Sequence, residues 1–135
     1  VLVQVERFSR IPGDAALVTL RTSVGTVPAS WGGNLKAAVG EHHIEWELDE
    51  DFRWGFNCSP AAVEEPCLYQ TESGVFCRGR LGLTGIQAAQ AFAHLELADA
   101  VIDLGHIDGL PQGMAGAWVE INLRPEKIKI HPYQI

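Results

Sequence analysis

From His42 to Phe56 the chain reads HHIEWELDEDFRWGF, and an alternation of two runs through it without a slip. Ile44, Trp46, Leu48, Glu50, Phe52, Trp54 and Phe56 occupy the even positions, while His43, Glu45, Glu47, Asp49, Asp51, Arg53 and Gly55 occupy the odd ones. Side chains of a strand point alternately to opposite faces, so this stretch predicts β structure with one aromatic face and one acidic face. With Asp49-Glu50-Asp51 as a three-residue hairpin loop, Leu48 faces Phe52, Trp46 faces Trp54 and Ile44 faces Phe56, and Glu47 meets Arg53 on the other side. Pairs of both kinds stabilise an antiparallel ribbon.

The same period recurs on either side. Val1 to Arg7 and Ala16 to Thr22 alternate around the turn signal Pro12-Gly13-Asp14, with Val1, Val3 and Val5 on one side of the first and Leu17 and Thr19 facing away from Val18 and Leu20 in the second, which predicts an N-terminal hairpin. Ser23 to Asn34, rich in Gly, Ser and Pro, reads as a connection with Trp31 as an apolar peg, followed by a helical turn from Asn34 to Val39 that Gly40 ends. Ser59-Pro60 is a good start for one helical turn over Ala61 to Glu65. Cys67 to Thr71 and Val75 to Leu83 read as strands, the second with Arg78 and Arg80 on one face and Cys77, Gly79 and Leu81 on the other. Thr84-Gly85-Ile86-Gln87 has the spacing of a capping box and predicts a short helix, after which Phe92 to Leu97 and Ala100 to Leu104 form a hairpin around Ala98-Asp99. A single helix continuing to Asp103 is the competing reading. Gly105 to Gly116 is a second glycine-rich connection. Trp118 to Leu123 and Ile128 to Pro132 then predict a last hairpin around Arg124 to Lys127, pairing Leu123 with Ile128 and Glu120 with His131.

Eight or so short strands with turn signals between them predict a mainly β, single-domain protein: an antiparallel barrel or strongly curved sheet with one to three short helices. The segment Gly109 to Leu123, in which glycines lead into the Trp118-Val119-Glu120-Ile121 strand, resembles the late strands of small OB-like or SH3-like barrels. The resemblance is one of fold pattern and carries no functional residues with it.

Charge changes this picture. Ten basic and 17 acidic residues in 135 give a net charge of −7, and Glu41, Glu45, Glu47, Asp49, Glu50 and Asp51 lie together in a stretch that contains no base. A negative field repels nucleic acid and anionic lipid and attracts cations or basic protein surfaces. No apolar run is long enough to span a bilayer and no leader pattern opens the chain, so a cytoplasmic setting is expected. Cys58, Cys67 and Cys77 are odd in number and form no Cys-x-x-Cys, which fits reduced thiols; in an oxidising setting Cys58 with Cys67 is the most local bridge.

Candidate chemistry is sparse. His42 and His43 beside Glu41 and Glu45, and Asp103 with His106 and Asp108, contain metal-ligand types at spacings that match no established site, so no metal and no cofactor is expected. Glu45 and Glu47 share a strand face, and His131 opposite Glu120 is a second acid–base candidate and the basis of an alternative small-ligand pocket. No nucleophile motif, phosphate loop or dinucleotide fingerprint accompanies either pair, so no catalytic set is assigned. The function expected is therefore docking of a basic protein partner, a toxin for example, in the manner of an immunity protein or other small acidic inhibitor. Glu45, Glu47, Asp49, Glu50, Asp51 and Arg53 would form the contact face. A small-ligand barrel or enzyme using Glu120 and His131, and an OB-like oligonucleotide binder, are the alternatives.

Overall fold

The computed structural model of the protein describes residues 2–10, 16–33, 38–85 and 91–133. It is mainly β. Five strands, β1 (Leu2–Arg10), β2 (Ala16–Thr22), β3 (Gly25–Trp31), β4 (Gly40–Leu48) and β13 (Ile128–Pro132), close a barrel in the order β1-β2-β3-β13-β4. The barrel is mixed rather than antiparallel, because β13 runs parallel to β3 while the other pairs are antiparallel. The predicted N-terminal hairpin is present, with Val3, Val5, Val18 and Leu20 buried. Its turn lies outside the described residues. The stretch expected to be a connection after Ser23 is instead strand β3, whose Val27, Ala29 and Trp31 are buried.

A second sheet takes the middle of the chain: β6 (Cys58–Pro60), β7 (Cys67–Thr71), β8 (Gly74–Thr84), β9 (Phe92–Leu97), β10 (Ala100–Gly105) and β12 (Trp118–Leu123). Its order is β10-β9-β8-β12-β6. The long β8 carries β7 along its first half and β9 along its second, with β12 on its other side. A short parallel pair, β5 (Phe52–Arg53) with β11 (Ile107–Asp108), completes the strands. Apolar residues alternate inward along each major strand, and one cluster of buried side chains runs from Val5, Leu20 and Ile130 of the barrel to Leu68, Leu95 and Ile121 of the sheet. At the join, the Leu68 amide donates to the Val24 carbonyl over 2.9 Å. Gly25 has φ +148° beside the Leu68 carbonyl, where any Cβ would collide with it.

Two predicted hairpins are not formed. Strand β4 does not fold back on Phe52–Phe56; it pairs with β13, matching Leu48 with Ile128, Trp46 with Ile130, Glu47 with Lys129 and Glu45 with His131. The apolar and charged complementarity that the local ribbon offered is met as well by a strand some 80 residues away, and that strand also closes the barrel. Phe56, expected opposite Ile44, is 81% exposed. For the same reason β12 and β13 are not a hairpin: a 3-10 turn at Pro125–Lys127 carries the chain from the sheet to the barrel, and Glu120 pairs with Arg78 and Ser59 rather than His131. The segment resembling a late barrel strand therefore lies in the open sheet.

The hairpin of β9 and β10 is as expected, turning through Ala98-Asp99, and the long-helix reading is overturned. Ala61 to Glu65 forms bends instead of a helical turn, with Pro60 ending β6. Most of the helical turn expected from Asn34, and the body of the one expected from Thr84, lie outside the described residues. Among the described residues no helix is long and apolar enough to cross a membrane.

Candidate functional site: an acidic groove between barrel and sheet

Strand β10 is an edge of the open sheet, and it lies alongside barrel strand β4. Two adjoining hollows occupy the seam. One, of about 600 Å³, is lined by Trp46 to Leu48, Glu50 to Phe52, Asp103 to His106 and Asp108. The other, of about 440 Å³, is lined by Ile44 to Trp46, Asp99, Val101, Asp103 and Tyr133. Trp46 and Asp103 belong to both, so the hollows form one groove.

The strand period explains the lining. Odd residues of β4 put Glu45 and Glu47 in water, while Ile44 is buried and Trp46 and Leu48 are half-buried. On the facing wall Val101 and Asp103 are exposed, and Ile102 and Leu104 turn into the core. Seven carboxylates, from Glu45, Glu47, Glu50, Asp51, Asp99, Asp103 and Asp108, line the groove together with His106, and neither Lys nor Arg does. Among the described residues Glu45, Glu50, Asp51, Asp99 and Asp103 make no ion pair, since the pairs formed are elsewhere. The five carboxylates without an ion-pair partner, gathered in one groove, repel one another, a cost that a bound cation removes.

The loop that carries Glu50 and Asp51 is fixed by backbone bonds and by one buried amide. The Asp49 amide donates to the Lys127 carbonyl over 2.8 Å, and the Trp54 amide to the Asp108 carbonyl over 2.8 Å. Asn57, 9% exposed, accepts from the Arg53 amide at 2.8 Å and donates to the Asp51 carbonyl at 2.9 Å. A buried side chain that satisfies backbone groups on both sides of Phe52 sets the direction in which Asp51 leaves the strand. Nothing in the sequence around Asn57 marks it for this role.

The six residues expected to form one face are thus divided. Glu45, Glu47, Glu50 and Asp51 line the groove. Asp49 is turned toward Lys129, 4.0 Å away, and borders a third hollow that shares Leu48, Glu50 and Asp51 with the groove and has Lys127 in its wall. Arg53 pairs with Asp108 at 3.6 Å and not with Glu47. Glu47 accepts a 2.7 Å hydrogen bond from Nε2 of His131. The opposite wall, Asp99, Asp103 and Asp108, was legible only as a turn and a loose cluster of metal-ligand types.

Glu120 and His131 do not come together. Glu120 accepts a 2.9 Å hydrogen bond from the Tyr69 hydroxyl and lies 3.7 Å from Nε of Arg78, on the outer face of the open sheet. Burial, and then the bond to Glu120, raise the Tyr69 phenol above its ordinary value. Arg80 donates to the Gly116 carbonyl at 3.4 Å, so both arginines of the one basic strand are engaged within the protein. Cys58, Cys67 and Cys77 are free thiols. Burial pushes Cys58 up to about 11 and Cys77 to about 12, the reverse of what a reactive thiolate requires. Among the described residues no three His, Cys, Asp or Glu side chains converge as a metal site would need. No family model, no curated protein and no solved structure matches the chain.

Proposed function

We propose that the protein is a binding module whose β4–β10 groove receives a basic protein partner, an inhibitor-like or immunity-like role. The observation that carries this reading is the groove itself: seven carboxylates and no Lys or Arg around a partly apolar floor of Trp46, Leu48 and Phe52. Aromatic and aliphatic anchors ringed by charge of one sign are the composition of a docking site for a partner of opposite sign, with the charge supplying steering and register. The same field disfavours an oligonucleotide, and Arg78 and Arg80 are occupied by internal partners. The small-ligand reading loses its acid–base pair, since Glu120 and His131 lie in different sheets.

The test reverses charge on both walls at once with Glu45→Lys and Asp103→Lys, neither of which has an ion pair to lose. Binding to a panel of immobilised folded basic proteins is measured between 20 and 300 mM salt, about a fourfold change in screening length. Binding that weakens steeply with salt and is abolished in the double variant supports the reading; binding indifferent to both rejects it.

A further inference from the structure

Barrel strand β4 and sheet strand β10 lie close enough that Cα atoms of the two approach within 8 Å. Paired strands stand about 4.8 Å apart, so this gap leaves no lane for a further main chain, and what enters the seam from the surface is a side chain. The smaller hollow suits one. Asp99, Val101 and Asp103 line it from the sheet, Val101 and Asp103 from the same exposed face of β10. Glu45, Trp46 and Tyr133 line it from the barrel. The Tyr133 amide donates to the His43 carbonyl over 2.8 Å, which fixes the residue at the rim, while its side chain stays 52% exposed. Two aromatic residues and three carboxylates without an ion pair thus border one volume of about 440 Å³, and among the described residues no Lys or Arg borders it.

From this we infer that the hollow receives a single arginine side chain from the surface of the basic partner, with its guanidinium against Trp46 and Tyr133 and its N–H groups turned to Glu45, Asp99 and Asp103. This rests on the docking function proposed above and names the residue that enters. A guanidinium is planar and weakly hydrated, so it rests its face on an aromatic ring while the N–H donors around its rim reach carboxylates. The hollow offers both surfaces at once, carboxylates from both walls and rings from the barrel side. A lysine ammonium is a compact, strongly hydrated point charge: it meets the same carboxylates but gains less from the rings. Contact with a ring at a partly exposed site multiplies affinity by about two to five. A second copy of this chain is disfavoured as the source of the arginine, because each molecule carries a net charge of −7.

The test uses the full chain and four capped peptides, Gly-Ser-X-Ser-Gly, in which X is arginine, lysine, trimethyl-lysine or citrulline, the last a neutral copy of arginine. Affinity is read from NMR shifts of the Trp46 indole and the β10 amides at 20 mM salt. An arginine pocket requires that the arginine peptide bind about threefold or more tighter than the lysine peptide, and about tenfold or more tighter than the citrulline peptide. Asp103→Asn should weaken both cationic peptides. Tyr133→Leu removes a ring from the rim but keeps the backbone bond to His43; it should bring arginine and lysine within about twofold of each other while the lysine peptide binds as before. Arginine and lysine peptides that bind alike overturn the inference but leave the acidic-groove function standing. So does a trimethyl-lysine peptide that binds tightest, by assigning the hollow to a quaternary ammonium. An arginine preference that survives Tyr133→Leu unchanged, or a citrulline peptide that binds as well as arginine, also overturns it. If no peptide binds, the arginine pocket is overturned, and binding of the folded basic proteins decides separately whether the groove function survives.

Discussion

Neutralising one groove carboxylate is expected to make the protein more stable. Asp103 lines both hollows and has no ion-pair partner among the described residues, so Asp103→Asn removes a charge from the middle of the groove with little change of shape. Taking roughly 8 Å as the spacing of carboxylates that share such a hollow, the Coulomb repulsion of each pair can be sized. Each such pair repels by about 0.5 kcal/mol in water at low salt, and by well under half of that at physiological salt, where the screening length is about 8 Å. With three or four neighbours, the variant gains about 1 kcal/mol at 10 mM salt, which for a domain of this size raises Tm by about 3–5 °C. The assay is thermal unfolding at pH 8, at 10 mM and 300 mM salt. The gain should shrink to about a third at the higher salt, and affinity for basic ligands should fall. A variant that is less stable at low salt, or whose gain ignores salt, would refute the claim that these carboxylates crowd one another.

Other consequences are open to measurement. Asn57→Ala leaves the Arg53 amide and the Asp51 carbonyl without their partner and should cost about 2–3 kcal/mol in chemical denaturation; a loss below 0.5 kcal/mol, on the scale of an ordinary surface change, would show that the amide does not organise the acidic loop. Ala98 has φ +55° in the β9–β10 turn, a conformation that costs a non-glycine residue about 1 kcal/mol, so Ala98→Gly should stabilise by up to about that amount; destabilisation would contradict the turn geometry. Two thiols carry a pH dependence. The Cys58 and Cys77 pKa values lie above their ordinary 9.0, so the folded chain keeps protons that the unfolded chain loses above pH 9. The stability they contribute is fully present below pH 9 and drains as pH rises through 11 to 12. Replacing both by Ser should flatten that decline in Tm, and in the wild type Cys67, the one thiol that is not fully buried, should label first with a thiol reagent.

Much of the fold was legible because the strand period is local. The alternations in β1, β2, β8, β9 and β12 separate buried from exposed residues as read, and the β9–β10 and β1–β2 pairings follow from turns between adjacent strands. Pairing at long range was not legible. The acidic and aromatic faces of β4 fit Phe52–Arg53 and Lys129–Ile130 almost equally well, and only closure of the barrel, a property of the whole chain, selects β13. Strand β3 was hidden by Pro28 and by flanking glycines, which read as loop composition although its inner residues alternate. The groove was half legible for the same reason: Glu45, Glu47, Glu50 and Asp51 stand out in one stretch, whereas Asp99, Asp103 and Asp108 gain meaning only when the sheet edge is laid beside β4.

The most direct test of the groove as a docking site is a backbone and indole NMR titration of the isotope-labelled protein with a basic peptide at 20 mM salt. The account predicts shifts concentrated in residues 44–52 and 99–108, including the Trp46 indole, whose buried N–H has no protein partner, and their disappearance at 300 mM salt. Shifts centred instead on the outer sheet face around Arg78 and Glu120, or a response that persists unchanged at high salt, would contradict it.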